Sequence, residues 1–200
     1  VEDDVPPVFN YCPDDVTLDN TTGDCSALRV WVQPNLDDLT DCDNILSIRR
    51  ESTDPAVQQA LDLNYPYNDT TGGVAIAEFP VGETYVLYIA EDSSGNINTC
   101  FMKVTVVDAE APVFAVCPND QVLGSICADA LVPDYRGLAT VTDNCGFDTL
   151  TQDPAPGTLL SNVPGLILDA GESFTVTLNA TDADSAFLST DCTFEVTLED

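Results

Sequence analysis

The chain repeats itself, and this constrains its fold more than any other feature. Pro6-Pro7-Val8-Phe9-Asn10-Tyr11-Cys12-Pro13 returns as Ala111-Pro112-Val113-Phe114-Ala115-Val116-Cys117-Pro118, each followed closely by acids. Asp41-Cys42-Asp43-Asn44 answers Asp143-Asn144-Cys145-Gly146, and Val81-Gly82-Glu83-Thr84 answers Ala170-Gly171-Glu172-Ser173. Thr99-Cys100-Phe101-Met102-Lys103-Val104 answers Asp191-Cys192-Thr193-Phe194-Glu195-Val196. Each copy holds four cysteines in the same order. Two copies of this length imply two domains of ordinary size, each with its own core. The boundaries fall at 1–108 and 109–200, with an insertion near 50–75 in the first copy.

Both copies read as all-β. Thr84–Ala90 and Ser173–Leu178 are runs of β-branched and aromatic residues. Phe101–Val107 and Phe194–Leu198 alternate in or near period two. Pro, Gly, Asn and Asp cluster between these runs and favour turns. Only Pro55–Leu63, inside the insertion, has helical composition. About seven short strands per 100 residues predict two tandem immunoglobulin-like β-sandwich domains.

The charge is extreme and evenly shared. Asp and Glu number 35 against 5 Lys and Arg, a net −30, and histidine is absent. The copies carry 20 and 15 acids against 4 and 1 bases, hence −16 and −14. A nucleic-acid partner needs a basic footprint, and an anionic membrane repels such a chain. No apolar run is long enough to span a membrane as a helix. Histidine catalysis and histidine metal ligation are excluded. The apolar share of 44% argues for a folded chain rather than an acidic disordered one. Eight cysteines without C-x-x-C spacing predict four disulfides and an oxidising, extracellular setting. Four cysteines in a copy allow three pairings. Three N-x-[ST] sequons begin at Asn20, Asn68 and Asn179.

The ordered set of motifs resembles the hyalin repeat (HYR) family. It comprises Cys12-Pro13, Trp31-Val32-Gln33-Pro34, Phe79-Pro80-Val81-Gly82-Glu83-Thr84, Asp92-Ser93-Ser94-Gly95-Asn96 and Cys100-Phe101. The second copy keeps Cys117-Pro118, Asp143-Asn144-Cys145-Gly146 and Cys192-Thr193-Phe194-Glu195-Val196. It lacks the Trp and has Asp182-Ala183-Asp184-Ser185 in place of Ser-Gly-Asn. The resemblance implies an immunoglobulin-related sandwich serving as an extracellular adhesion or spacer module. It also implies tandem arrays, as in bacterial secreted surface proteins, and an association with calcium.

Two site expectations follow from that fold. In an immunoglobulin-like sandwich the first and last strands can run parallel side by side. This pairs Cys12 with Cys100 and Cys117 with Cys192, leaving Cys25–Cys42 and Cys127–Cys145 to close short local loops. The acids ahead of each first strand resemble cadherin linkers. With the loop acids of the same domain end they would give calcium an oxygen site. That set is Asp108, Glu110, Asp143, Asp182 and Asp184 in the second copy, and Asp3, Asp4, Asp43 and Asp92 in the first. The alternative is that these acids are solvated turn residues.

Catalysis has little to draw on. Serine or cysteine nucleophiles lack a histidine base, the single lysine is Lys103, and no phosphate loop is present. The expected function is non-enzymatic: a tandem segment of a surface adhesin whose neighbours are repeats of the same or like chains. Its protein or glycan ligand is not readable. The alternatives are a subunit of a filament built head to tail or by strand exchange, and a carbohydrate-binding module. Both ends fall at repeat boundaries, as in an excerpt of a longer array. Tyr65-Pro66-Tyr67 is expected to pack the insertion onto a sheet, Trp31 and Tyr88 to sit in the core, and Arg49-Arg50 to counter acids such as Glu51 or Asp54.

Overall fold

The computed structural model describes residues 3–42, 45–64, 66–67, 70–124, 127, 129–182 and 188–199. It divides into two compact units, Val1–Asp108 and Ala109–Asp200. In the first, the chain order is β1 (Val8–Phe9), β2 (Val16–Asp19), β3 (Ser26–Gln33), β4 (Leu39–Thr40), β5 (Ile45–Ser52), α1 (Pro55–Asn64), β6 (Gly73–Pro80), β7 (Gly82–Asp92) and β8 (Ile97–Val107). One sheet has the order β2-β8-β7-β5; β3 pairs β6, and β1 pairs β4. The unit is an all-β sandwich, its core closed by Trp31, Ala75 and Phe79 from β3 and β6 against Val86, Tyr88, Met102 and Val104 from β7 and β8.

The second unit runs β9 (Val113–Val116), β10 (Gln121–Leu123), β11 (Thr140–Thr142), β12 (Phe147–Asp153), β13 (Ser173–Asp182) and β14 (Ser189–Leu198). Its main sheet, β10-β14-β13-β12, is the counterpart of β2-β8-β7-β5, and β9 pairs β11 as β1 pairs β4. Among the described residues, the counterpart of the eight-rung β3–β6 pair is one bridge, Leu131↔Leu159. The local reason is Pro133, which has no N–H to donate and interrupts the apolar run after Leu131-Val132. In the first copy Ala27–Gln33 continues without a break.

The long hairpin dominates each unit. Along β7 the residues Thr84, Val86, Tyr88 and Ala90 are buried at every second position; Phe174, Val176, Leu178 and Ala180 repeat this on β13. Gly82 and Gly171 precede these runs with φ of 109° and 88°, a left-handed turn that a side chain would strain.

Register explains the long disulfides. β2 pairs β8 in parallel with Val16 opposite Val104; stepping back four residues on both strands reaches Cys12 and Cys100. β10 pairs β14 in parallel with Gln121 opposite Val196, and the same step reaches Cys117 and Cys192. Both pairs are bonded, with Cα separations of 5.9 and 5.8 Å. The acid after each Cys-Pro fastens the same strands: Asp15 accepts from the Lys103 N–H at 2.8 Å, and Asp120 from the Glu195 N–H at 2.9 Å.

The expected Cys25–Cys42 and Cys127–Cys145 loops are not formed. Cys42 and Cys127 are exposed free thiols, whereas Cys25 and Cys145 are disulfide-bonded. The reason is strand length. The Cys25 carbonyl accepts from Val81 N–H at 3.3 Å, just before β7 begins. Cys42 adjoins Asp41, whose carboxylate lies within 4.8 Å of that of Asp92, where β7 ends. Eleven extended residues cover roughly 35 Å, and a disulfide tolerates about 7 Å between Cα atoms. The second copy behaves alike. Leu123 pairs Leu198, which accepts from Gly171 N–H ahead of β13. Cys127 is four residues beyond Leu123, a reach of at most about 14 Å. Cys145 sits at the far end of β13, its N–H bonded to Asp143 near Asp182.

Candidate functional site

Each repeat gathers three carboxylates at its leading end, where its first strand begins. In the first copy they belong to Asp3, Asp41 and Asp92, with one oxygen of each within 4.8 Å of the others. In the second they belong to Asp108, Asp143 and Asp182, within the same distance. The trios are equivalent position by position. Asp3 precedes Pro6-Pro7-Val8-Phe9 as Asp108 precedes Ala111-Pro112-Val113-Phe114. Asp41 and Asp143 each follow a strand-end threonine, and Asp92 and Asp182 end the long strands β7 and β13.

Three different elements converge because the sandwich brings them to one end. β1 pairs β4, Val8 opposite Thr40, which carries Asp41 to the chain segment that holds Asp3. The turn after β7 completes the site. Asp92 is fully buried; its carboxylate accepts from Ser94 N–H at 2.9 Å, Asn96 N–H at 2.8 Å and the Asn96 side-chain amide at 2.8 Å. The same amide donates to the Asp3 carbonyl at 3.1 Å, fastening the leading segment to the turn. Burial pushes the Asp92 carboxyl up, but hydrogen bonds from Asn96, Ser94 and Gly95 together outweigh it. The group lies below its ordinary pKa and stays ionised.

Asp3, Asp41 and Asp143 are each held through one oxygen, Oδ1. Asp3 Oδ1 accepts from Val5 N–H at 3.0 Å and Asp41 Oδ1 from Cys42 N–H at 2.8 Å. Asp143 Oδ1 accepts from Cys145 N–H at 2.8 Å and Gly146 N–H at 2.7 Å. The second oxygens of Asp3, Asp41 and Asp143 are buried with no hydrogen-bond donor among the described residues. Asp108 and Asp182 are themselves buried. A buried carboxylate oxygen facing other carboxylates is costly unless a cation or donor meets it.

The expected site residues divide accordingly. Asp3, Asp92, Asp108, Asp143 and Asp182 converge. Asp4 is exposed, and neither it nor Glu110 joins a trio. Asp43 and Asp184 lie outside the described residues. Asp41 was not expected. The signal for it was the alignment of Thr40-Asp41 with Thr142-Asp143, counted from the strand rather than from the cysteine.

The remaining motifs are structural. Trp31 Nε1–H donates to Tyr88 Oη at 2.8 Å inside the core, and burial pushes the Tyr88 hydroxyl up to about 12. Arg50, also buried, donates to Gln33 Oε1, lies 3.6 Å from Asp62 and sits over the Tyr67 ring at 5.9 Å. Arg49 pairs with Glu51 at 3.1 Å. Asp54 does not meet Arg50. It caps α1, accepting from the Ala56 and Val57 N–H groups. Tyr67 anchors the insertion through Pro34 O at 2.7 Å; Tyr65 lies outside the described residues.

Residues 52–106 match the HYR domain family. The chain is 30% identical over 202 residues to hyalin of Strongylocentrotus purpuratus, a match that covers 98% of this chain and 14% of hyalin. Solved structures similar to it include Drosophila N-cadherin EC1-4, at 12% identity and TM-score 0.41, covering 98% of this chain and 50% of that one. Another is the protocadherin gammaB7 EC3-6 cis-dimer structure, at 14% identity and TM-score 0.43, covering 98% and 48%. The chain is thus an all-β protein with an HYR domain match in its first repeat, and over nearly its full length it is similar to a short stretch of hyalin.

Proposed function

We propose that the chain is a non-enzymatic, extracellular adhesion-type segment whose two repeats each bind a calcium ion at the leading end. The observation that carries this is the twice-built carboxylate trio, with buried oxygens of Asp3, Asp41 and Asp143 that have no hydrogen-bond donor among the described residues. An all-oxygen, three-acid donor set suits a hard cation such as Ca²⁺ and offers little to zinc. In the first copy Asp3, Asp41 and Asp92 would hold the ion; in the second, Asp108, Asp143 and Asp182 would. The ion would offset three converging negative charges and fix the leading segment onto the loops of its own repeat. The long disulfides fit an oxidising exterior. The absence of histidine and the use of Lys103 in an ion pair with Glu83 leave no evident base for nucleophilic catalysis.

The test is calorimetric titration of the whole chain with calcium, joined to thermal melts with calcium and with EDTA. Two sites per chain are expected. At a hundredfold excess over Kd a bound ion adds about 2.7 kcal/mol, which for a domain of this size raises Tm by roughly 10–20 °C. Asp41→Asn and Asp143→Asn should each remove one site. No heat of binding and identical melts in EDTA would overturn the calcium reading.

A further inference from the structure

We infer that the outward face of the β2-β8-β7-β5 sheet docks a second copy of this chain, so that two first repeats pack face to face. Along β7, Val86, Tyr88 and Ala90 enter the core, and Tyr85, Leu87 and Ile89 alternate with them on the other side of the sheet. Ile89 is buried, yet it takes no part in the core cluster. On β8, Phe101 stands opposite Leu87 and is 52% exposed, with its ring 5.9 Å from that of Tyr85. Tyr85, Leu87, Ile89 and Phe101 thus form an apolar centre on a side that a solvated antiparallel sheet leaves polar.

The second repeat shows the solvated version of the same face. Tyr88 stands opposite Cys100 and Leu178 opposite Cys192, which marks equal rungs in the two hairpins. Counted from that rung, Tyr85, Leu87, Ile89 and Phe101 answer to Thr175, Thr177, Asn179 and Thr193. Both repeats bury the inner side of this sheet in the same alternation, so the core does not demand an apolar outer side in the first. A contiguous apolar patch of this kind marks a contact surface.

Charge and size select the occupant. Beside the apolar centre, Arg49 pairs with Glu51 at 3.1 Å and lies 4.0 Å from Glu91, and Lys103 pairs with Glu83 at 3.0 Å. A twofold contact sets a face against its own copy, so the face must hold both signs. This one does, whereas the four matching strands of the second repeat carry acids and no base. A chain of net −30 repels its copies over most of its surface. Here two bases against three acids leave little local charge to oppose apolar contact. β7 and β8 are 11 residues long, and four strands about 4.8 Å apart make a face of roughly 600 Å². Two such faces bury on the order of 1,200 Å², the lower end of what a specific contact needs and the size of weak, reversible ones.

None of these residues belongs to a carboxylate trio, so the contact stands apart from the calcium reading. The test is analytical ultracentrifugation of the whole chain from about 10 µM to about 1 mM, in calcium and in EDTA. A reversible monomer–dimer equilibrium is expected. Phe101→Thr and Leu87→Thr install the residue type found at Thr193 and Thr177, and each should weaken the dimer about tenfold or more. Arg49→Glu leaves the apolar centre in place, removes one of the two bases of the face, and should weaken it too. Val30→Thr, at a half-exposed position on β3 in the other layer of the sandwich, should leave the dimer unchanged. Trp31 fluorescence melts report whether each variant keeps the first repeat folded. If Phe101→Thr unfolds it, Leu87→Thr and Arg49→Glu carry the test. A monomer at every concentration would overturn the proposal and leave the face to a partner of another kind. So would a dimer that survives Phe101→Thr in a folded chain, as one bridged through the acids by calcium would. Loss of the dimer in Val30→Thr but not in Phe101→Thr would move the contact to the other layer and overturn it as well.

Discussion

The two repeats solve one packing problem with different polar devices. Arg50 stands opposite Tyr88 across the β5–β7 pair, and Gln152 stands opposite Leu178 at the matching rung of β12–β13. In the first repeat the buried guanidinium is met by Gln33, by Asp62 from α1 and by the Tyr67 ring, while Tyr88 accepts from Trp31. In the second, Trp31 has no counterpart, Tyr88 becomes Leu178, and neutral Gln152 takes the charged position. Gln152 accepts from Tyr135 N–H at 2.8 Å and donates to the carbonyls of Pro133 and Pro154 at 2.9 and 3.0 Å. The insertion with α1 and the full β3–β6 pair thus come with a buried charge. The shorter repeat uses one amide to hold loop backbone in their place. What stays constant is the long hairpin, the parallel strand beside it, the disulfide and the leading-end acids.

That contrast can be broken first at what the repeats share. Cys100→Ser and Cys192→Ser each open a loop of 88 or 75 residues. Each should cost about 4–5 kcal/mol by the loop-entropy account. Trp31 is the only tryptophan, so its fluorescence follows the first repeat alone, while circular dichroism follows both. Cys100→Ser should move the fluorescence transition in a denaturant melt, and Cys192→Ser should move only the other. A shift of both transitions by either change would show that the repeats do not unfold independently.

Next come the devices that differ. Gln152→Leu strands the Tyr135 N–H and two carbonyls, and should cost the second repeat about 1–3 kcal/mol. Arg50→Leu should cost less than Gln152→Leu, because it removes a desolvated charge together with its hydrogen bond, and Asp62 is already largely in water. Burial holds the Arg50 pKa below its ordinary value, which marks that desolvation; Tyr88 and Asp62 oppose it. If Arg50→Leu proves the more damaging of the two, the charge is worth more than the backbone scaffold that replaces it. A smaller effect, about 1 kcal/mol and confined to the fluorescence transition, is expected for Asp54→Ala, which uncaps α1.

Legibility in the sequence followed the same division. Alternation exposed the long hairpins, and Cys12, Cys100, Cys117 and Cys192 were readable because parallel strands keep equal offsets from a shared rung. The leading-end acids were readable in kind, since turns that gather at one end of a sandwich are named by the strands they follow. Asp41 was missed because Asp41-Cys42-Asp43 offers two acids, and only the register of Val8 against Thr40 shows which one faces Asp3 and Asp92. The short-range disulfides failed for a related reason. Sixteen residues lie between Cys25 and Cys42 in the chain, but β3 spends eight of them crossing the domain, so neighbours in sequence lie at opposite ends in space. In the second copy, the collapse of β3 and β6 to a single bridge follows from the position of Pro133 within an otherwise apolar run.

The smallest expected effects sharpen the comparison at its surface. In the second repeat Asp134 accepts from Arg136 through both oxygens, at 2.9 and 2.8 Å. The Arg136 side-chain hydrogen bonds, then its backbone N–H, hold the Asp134 carboxyl down at about 2. In the first repeat Glu83 is also held below its ordinary range, by the hydrogen bond and charge of Lys103. A folded pKa below the unfolded one means that the stabilisation is present above the ordinary carboxylate range, near pH 4, and is lost as pH falls through the folded value. For Asp134 that window runs from about pH 4 down to about 2. Both partners are roughly half exposed, so water and salt screen the pair and its share of the melting temperature should be slight. The sensitive readout is therefore the carboxyl carbon signal in NMR. Asp134 should titrate with a midpoint of about 2, and Arg136→Gln should return it to the ordinary range. Lys103→Glu, which installs the residue type found at Glu195, should likewise release Glu83. If Asp134 already titrates in the ordinary range in the unmodified chain, the Arg136 contact is not held in solution. The second repeat's only basic residue would then be a solvated charge rather than a fixed partner.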